Sequence, residues 1–266
     1  VALLLFDLSR GAPWMQRSVL GYDPMGGARY YGIGNEFMGV LIGSTIVAAS
    51  LALDRFGHRP LTWLCLACVG GAVGVALGLP TSGANVGGAI TACIGFGLTA
   101  LWLRDRPLTV ARAGALLLAT GIAVIGAALW DLFFRPADPS HLGRLARTMV
   151  EGGLAPLLEV AGRKLAMNWT LLRYTIWTRV LLVSAAAMFV LLTRPHPFLE
   201  RVFAAAPALR RGLKGAIAAS FVALLVNDSG VVAAATALIP ATVVVLDAAA
   251  RPAPPEALAA RRQSAG

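Results

Sequence analysis

The stretch GARYYGIGNEFMGVLIGS, residues 27–44, places a cluster of polar residues directly before an apolar run. That run continues to residue 53 and is the first of several with about the length that crosses a bilayer core as a helix. Of the 266 residues, 58% are hydrophobic and 14% are charged, whereas soluble domains carry about 25% charged residues. The sequence therefore predicts an all-α fold, a polytopic transmembrane helical bundle.

Seven membrane segments are predicted after a short apolar fragment at the N-terminus. They lie at about 37–53, 61–79, 86–103, 108–130, 174–193, 213–226 and 231–246. The fragment at residues 1–6 is too short to span a membrane, so we expect it to be the end of a truncated helix. We interpret residues 1–250 as one transmembrane domain. Residues 251–266, rich in Ala, Pro and Arg, are predicted to form a disordered cytoplasmic tail.

Arginines predict the orientation of the bundle. The loops alternate between two faces, and the shorter loops of one face carry Arg55, Arg59, Arg104, Arg106, Arg194, Arg201, Arg210 and Arg211. By the positive-inside rule this face is cytoplasmic. The net charge of +10 is then explained by arginines at helix ends that bind anionic headgroups. We expect membrane lipids as partners, and no nucleic acid.

The long outer-face segment, residues 131–173, predicts two amphipathic helices between about 139 and 165. Asp138 and Pro139 suit a helix start, and Leu145 and Met149 share one face with Leu142. Such helices are typical of the membrane interface; a lid over a binding site is the alternative. Further along, Asn168 and Thr170 match a glycosylation sequon.

Glycines and cysteines within the apolar runs point to packing. Gly70, Gly74 and Gly78 repeat every four residues, and such stripes allow helix backbones to approach closely. Cys65 and Cys68 have CxxC spacing, but the sequence offers no second pair or nearby histidine for zinc. We therefore predict no metal site built from cysteine or histidine, and the sequence does not identify a cofactor.

A second polar group, Asn227, Asp228 and Ser229, links the last two segments on the predicted outer face. Because the sixth segment is only about 20 Å long at 1.5 Å per residue, we expect this link to lie below the membrane surface. A carboxylate there costs about 2.5–3.5 kcal/mol, which indicates function. A helix beginning near Pro207 would span fully, but three basic residues argue against it. Structurally, Asp228 could instead cap the last helix while Asn227 satisfies carbonyls of the sixth.

These groups predict an outward-facing polar pocket. Glu36 and Asp228 are the candidate catalytic residues, as a general base, metal ligands or a proton-coupling pair. Arg29, Arg163 and Lys164 are suited to a phosphate or carboxylate. The candidate substrate-binding residues are Arg29, Tyr30, Tyr31, Asn35, Ser82, Asn85, Arg163, Lys164, Asn227 and Ser229.

Two stretches, GYDPMGGARYYGIGNEFMGVLIGS and LLVNDSGVVAAAT, resemble those of a group of uncharacterised bacterial multi-pass membrane proteins. In that group the membrane part follows a longer N-terminal region. The resemblance therefore implies a bacterial inner-membrane protein of the cell envelope with a further N-terminal domain as a partner, but no catalytic residues. More remotely, Arg29 followed by GIGNE is similar to a turn of the O-antigen ligase and polymerase superfamily.

Three functions fit the pattern. The first is a membrane enzyme that processes or transfers an anionic, lipid-linked envelope substrate at the outer face. The second is a transporter or channel that uses Glu36 and Asp228 as ion or proton sites. The third is a membrane anchor for an N-terminal domain.

Overall fold

The computed structural model describes residues 1–21, 32–134, 141–153, 155–194 and 197–250. Within these ranges every regular element is an α-helix, which confirms the predicted all-α class for this part of the chain. The helices are α1 (Ala2–Ser9), α2 (Pro13–Gln16), α3 (Asn35–Phe56), α4 (Pro60–Gly78), α5 (Val86–Leu103), α6 (Val110–Phe134), α7 (His141–Gly152), α8 (Ala155–Tyr174), α9 (Ile176–Thr193), α10 (Pro197–Ala205), α11 (Pro207–Val226) and α12 (Gly230–Ala250).

Six of these helices are long and apolar enough to cross a membrane. They are α3, α4, α5, α6, α9 and α12, and six of the seven predicted segments fall on them. By length and composition the chain is a multi-pass helical membrane protein, as the hydropathy pattern predicted.

The remaining predicted segment, at 213–226, begins too late, and this prediction is wrong. α11 starts at Pro207 and has 20 residues, so it is about 30 Å long. Its start is fixed by Asp54 near the end of α3, whose carboxylate oxygens accept hydrogen bonds from the backbone N–H groups of Ala208 and Leu209, both at 2.8 Å. The argument that a short helix buries the 227–230 link below the membrane surface is therefore lost.

The basic residues that argued against this start are accommodated at the helix surface. Arg211 pairs with Asp105 at 2.7 Å, and the Arg210 guanidinium lies 5.6 Å from the centre of the Phe203 ring. Lys214 is exposed. Long basic side chains near a helix end can keep their charge at the interface, so their presence did not exclude a full-length helix.

The centre of the bundle begins with the contact between α3 and α12. A Cβ atom at Gly39 would overlap the Ala233 carbonyl and the Thr236 hydroxyl of α12, and one at Gly43 would overlap the Ala237 carbonyl. The two backbones are therefore close enough that only glycine fits on α3. Such close packing drives helix association in lipid, because an apolar helix surface gains no hydrophobic free energy by exchanging lipid tails for another helix.

Helix α11 fills the space between α3, α5 and α12 in the same way. A Cβ atom at Gly212 would overlap Ser50 of α3, and one at Gly215 would overlap Thr99 of α5. Ser220 donates a hydrogen bond to the Ala234 carbonyl of α12 at 2.8 Å. These contacts make α3, α5, α11 and α12 one tightly packed unit, the central bundle.

Helices α4, α6 and α9 lie around this central bundle. The membrane-length windows of α4 and α6 are 11% and 6% buried, against 56% for both α3 and α12. Exposed leucine and isoleucine side chains cover α6, among them Leu117, Leu118, Ile122 and Ile125. This outward apolar surface is what a lipid-facing helix requires.

The N-terminal fragment forms a helix, α1, followed by the short α2. Asp7 is buried, and its carboxylate accepts hydrogen bonds from the N–H groups of Trp14 at 3.0 Å and Met15 at 2.9 Å. Leu8, Ala12 and Met15 are buried in the main apolar core. The fragment is therefore an integral part of the fold.

The two predicted amphipathic helices are α7 and α8, separated at Gly153, whose φ of +65° favours glycine. On α7, Leu145 and Met149 are half-buried while Arg144 and Arg147 are exposed, as predicted. α8 continues to Tyr174, beyond the predicted end near 165. Asp138 and Pro139 lie outside the described residues.

Candidate functional site

The loops lie at two ends of the bundle, as the alternation of membrane segments predicted, and their contacts show which loops share an end. At one end, Asp54 reaches α11 and Arg211 reaches Asp105. We call this the arginine end: residues 54–60, 104–109 and 197–212. At the other end, contacts join residues 33–36, the turn at 80–85, Lys164 and Asn168 of α8, and the link at 227–229. We call this the polar end, and it contains the described candidate residues.

The turn before α5 meets the entrance of α3. Asn85 is buried and caps α5 by accepting a hydrogen bond from Gly88 N at 2.7 Å. Its amide nitrogen donates to the Ile33 carbonyl and to Asn35 Oδ1, both at 3.3 Å. The Ile33 N–H donates to the Gly83 carbonyl at 2.9 Å. Two predicted site residues, Asn35 and Asn85, are therefore in direct contact.

The link between α11 and α12 lies against the start of α5. Asn227 is buried, and its amide nitrogen donates to the Ala223 carbonyl at 3.0 Å and to Thr91 Oγ1 at 3.4 Å. A Cβ at Gly87 would overlap Asn227 Oδ1. The predicted role of Asn227 in satisfying a carbonyl of the preceding helix is thus confirmed. Because Gly87 follows Asn85 by two residues, the contacts run continuously from Asn35 to Asn227.

Helix α8 is attached to the same link through Asn168, which is only 7% exposed. Its amide nitrogen donates to the Leu224 carbonyl at 3.3 Å and the Asn227 carbonyl at 2.9 Å. Its oxygen accepts from Val231 N at 3.3 Å. All functional atoms of this side chain are used, so Asn168 is a structural residue and is inaccessible as a glycosylation site.

One turn before Asn168, Lys164 forms an ion pair with Asp228. Lys164 Nζ lies 2.7 Å from Asp228 Oδ1 and donates to the Val226 carbonyl at 3.2 Å. The Lys164 side chain is 29% exposed and that of Asp228 is 64% exposed. The pair is therefore accessible from outside the protein, and Asp228 serves as the partner of Lys164, not as the predicted cap of α12.

The other described candidates differ in how exposed they are. Glu36 is half-buried, and its carboxylate folds back towards Gly34. A Cβ added at Gly34 would lie 2.8 Å from Glu36 Oε2. Ser82 and Ser229 are half-buried, and Arg163 is exposed on α8. Arg29, Tyr30 and Tyr31 lie outside the described residues. The predicted meeting of Glu36 and Asp228 in one cavity stays a prediction.

The chemistry of the polar end is that of charged and amide groups. Among the described residues, no group of three His, Cys, Asp or Glu side chains could hold a metal ion. Cys65 and Cys68 are exposed on α4, within an apolar helix. Among the described residues of the polar end, the Lys164 ammonium and the carboxylates of Asp228 and Glu36 are partly accessible reactive groups.

Sequence reasoning overlooked two residues of this end. Asn168 was considered only as part of a sequon, and Thr91 as part of an apolar run. The available signal was the amide of Asn168 within an amphipathic helix. A buried polar group is normally hydrogen-bonded, so such an amide predicts backbone partners. Which carbonyls it would satisfy depended on tertiary packing.

No known protein family, curated protein or solved structure matches this chain.

Proposed function

We propose that this chain is an integral membrane protein of the bacterial cell envelope that binds an anionic, lipid-linked substrate at the polar end and processes or transfers it. The observation that carries the proposal is the position of Lys164. Its ammonium has two acceptors, Asp228 and the Val226 carbonyl, and an ammonium group has three donors. The third donor direction, on a partly exposed side chain, is available to a phosphate or carboxylate oxygen.

The exposed side of α8 supports a position at the membrane interface. Leu158, Leu165 and Trp169 are 70%, 64% and 58% exposed, and their spacing places them along one side of the helix. Lys164 lies at least about 100° around the helix from each of them, on the side of the buried Asn168. The apolar side can therefore rest in the acyl chains of the bilayer, which would bring the charged group of a lipid-linked substrate to the level of Lys164.

Asp228 gives the same site a group that accepts protons. Its carboxylate is more exposed than the ammonium it faces, so it would lie beside a substrate anion bound by the third donor of Lys164. A carboxylate next to bound substrate is suited to general-base catalysis. We assign the same function to Glu36 as the second candidate base.

The distribution of charge favours this function over transport. No acidic or basic residue occurs in the central parts of six spans, residues 37–53, 61–79, 86–103, 113–130, 180–193 and 231–246. Helix α11 carries Arg210, Arg211 and Lys214, all in its half at the arginine end. Ion and proton pathways are typically marked by such residues within the membrane. The charged groups lie at the two ends, where they can act on a substrate at the surface.

We further propose that α11 is the seventh span and that the arginine end is cytoplasmic in the inner membrane. The length of α11 equals that of a full crossing, and the arginine-rich short loops support this orientation. In this topology residues 251–266 are cytoplasmic and the polar end faces outward. α7 and α8 then lie at the outer interface.

The test is complementation in cells that lack the native copy, with lipid-linked envelope precursors measured by mass spectrometry of lipid extracts. We expect Lys164→Gln to accumulate precursor at least about tenfold over wild type, because a charged contact to substrate contributes about 1.5–3 kcal/mol. Lys214→Gln removes the other lysine of the chain, exposed at the arginine end, and should behave like wild type.

A charge swap separates binding from structure. The double variant Lys164→Asp with Asp228→Lys can re-form the ion pair, so we expect it to recover thermal stability without recovering precursor processing. Recovery of processing would assign the pair a purely structural role. Wild-type precursor levels in the stably folded Lys164→Gln and Asp228→Asn variants would favour the anchor instead.

A further inference from the structure

A second accessible site lies at the N-terminal end of the chain, between α1 and α2. It is a cavity of about 230 Å³ lined by Phe6, Asp7, Arg10, Pro13 and Trp14. The Phe6 and Trp14 rings are tilted with respect to each other, with their centres 5.9 Å apart. We call this cavity the N-terminal groove.

The walls of the groove are held in place by the fold. The Asp7 carboxylate, 2% exposed, binds the N–H groups of Trp14 and Met15, which fixes α2 against α1. Ala12, at the turn between them, has a φ of 62° and is fully buried. The groove therefore does not require a ligand to form.

The exposed charged group of the groove is Arg10. Asp7 also lines the groove, but it is 2% exposed and both of its carboxylate oxygens accept hydrogen bonds from backbone N–H groups. The Arg10 guanidinium lies 5.5 Å from the centre of the Phe6 ring, and no carboxylate among the described residues forms an ion pair with it. An arginine on an aromatic ring keeps its N–H groups free for an anion.

The surroundings of the groove are apolar and exposed. Leu3, one turn before Phe6 on α1, is 72% exposed, and the two aromatic walls, Phe6 and Trp14, are 48% and 58% exposed. Aromatic side chains beside arginine are typical of the membrane–water interface, where the ring meets hydrocarbon and the cation meets headgroups. The groove thus combines an anion-binding group with a surface for acyl chains.

We propose that the N-terminal groove binds an anionic phospholipid, with the headgroup phosphate on Arg10 and the glycerol and upper acyl chain against Phe6 and Trp14. The charge of Arg10 selects the anionic headgroup, and the exposed apolar residues select a lipid over a free phosphate. A volume of 230 Å³ accommodates the phosphate and glycerol, while the rest of the lipid stays in the bilayer. This site is separate from Lys164 and independent of the function proposed above.

The experiment uses the full chain in detergent micelles with a photoreactive acyl chain on either phosphatidylglycerol or phosphatidylcholine. Labelling of residues 1–17 is mapped by digestion and mass spectrometry. We expect about tenfold more labelling of this segment by phosphatidylglycerol, and a loss of that preference in Arg10→Gln. Trp14→Ala should lower labelling by both lipids.

A matched control is available at the arginine end. Arg104 also lies over an aromatic ring, 4.3 Å from the centre of Trp63, so Arg104→Gln removes an equivalent cation–aromatic pair and should leave labelling of residues 1–17 unchanged. Equal labelling of that segment by both lipids, or an unchanged preference in Arg10→Gln, would overturn the proposal. So would full displacement of the lipid by millimolar inorganic phosphate, because the site would then recognise phosphate alone.

Discussion

The glycines of α3 and those of α6 occupy similar sequences, small residues within long apolar runs, yet their surroundings differ completely. A Cβ at Gly39 or Gly43 of α3 would overlap backbone atoms of α12. A Cβ at Gly114, Gly121 or Gly126 of α6 would meet nothing within 4 Å. The same residue type therefore determines helix spacing in the central bundle and leaves open surface at the periphery.

Helix α4 shows that spacing alone does not separate these two cases. The regular stripe of Gly70, Gly74 and Gly78 predicted close packing. A Cβ added at Gly70 or Gly78 would meet Phe96 or Ala89 of α5 at ordinary contact distances. Gly74 meets nothing within 4 Å, so the prediction is wrong there. Whether a glycine is required depends on which helix crosses at that level, and this is a property of the assembled bundle.

The largest effect is expected from Gly39→Leu. The new side chain would overlap the Ala233 carbonyl and force α3 and α12 apart, which should lower the free energy of unfolding by at least about 3 kcal/mol. The measurement is the thermal midpoint in detergent, with Gly74→Leu on α4 as the control. A Gly39→Leu protein as stable as this control would contradict the tight α3–α12 contact.

An intermediate effect is expected from Asn168→Ala, which tests how firmly the peripheral α8 is joined to the central bundle. The change leaves the buried carbonyls of Leu224 and Asn227 without this donor, at a cost of about 2 kcal/mol. Thermal unfolding and limited proteolysis of α7 and α8 measure it. Thr170→Ala, at an exposed position on the same helix, should show no change in either assay. Wild-type protection of α8 in Asn168→Ala would mean that other contacts hold the helix.

The smallest effect is expected from Gly121→Leu on α6. Because open space surrounds this position, the change in unfolding free energy should stay within about 0.5 kcal/mol. The thermal midpoint and the mass of the particle in detergent are the two readouts. A marked destabilisation or a change in mass would show that another chain, and not lipid, covers α6.

Much of the fold could be predicted because membrane segments carry their signal locally. A run of about 20 apolar residues spans the bilayer whatever its neighbours are, and α3, α5 and α12 begin and end close to the predicted positions. The start of α11 could not be predicted in this way. It depends on Asp54, which lies more than 150 residues earlier in the chain, and on the pairing of Arg211 with Asp105.

The candidate site likewise contains features that local sequence indicated and contacts that depend on the assembled bundle. The alternation of segments placed Asn35 and Asn85 on one face, at two helix starts, whereas their direct contact is known only from the structure. The pairing of Lys164 with Asp228 joins two predicted residues, but nothing local indicated that they would neutralise each other. Asn168 and Asp7 were missed because a buried polar group is recognised only once its backbone partners are known.

The contact between Gly39 and Ala233 has a consequence for biogenesis. Ala233 follows Gly39 by 233 − 39 = 194 residues, so α3 leaves the ribosome on the order of ten seconds or more before α12 is available to cover it. During this interval the glycine-lined groove of α3 faces lipid or the insertion machinery while α4, α5 and α6 are laid down beside it. A nascent chain released before α12 is made therefore exposes the surface of α3 that α12 covers in the assembled bundle.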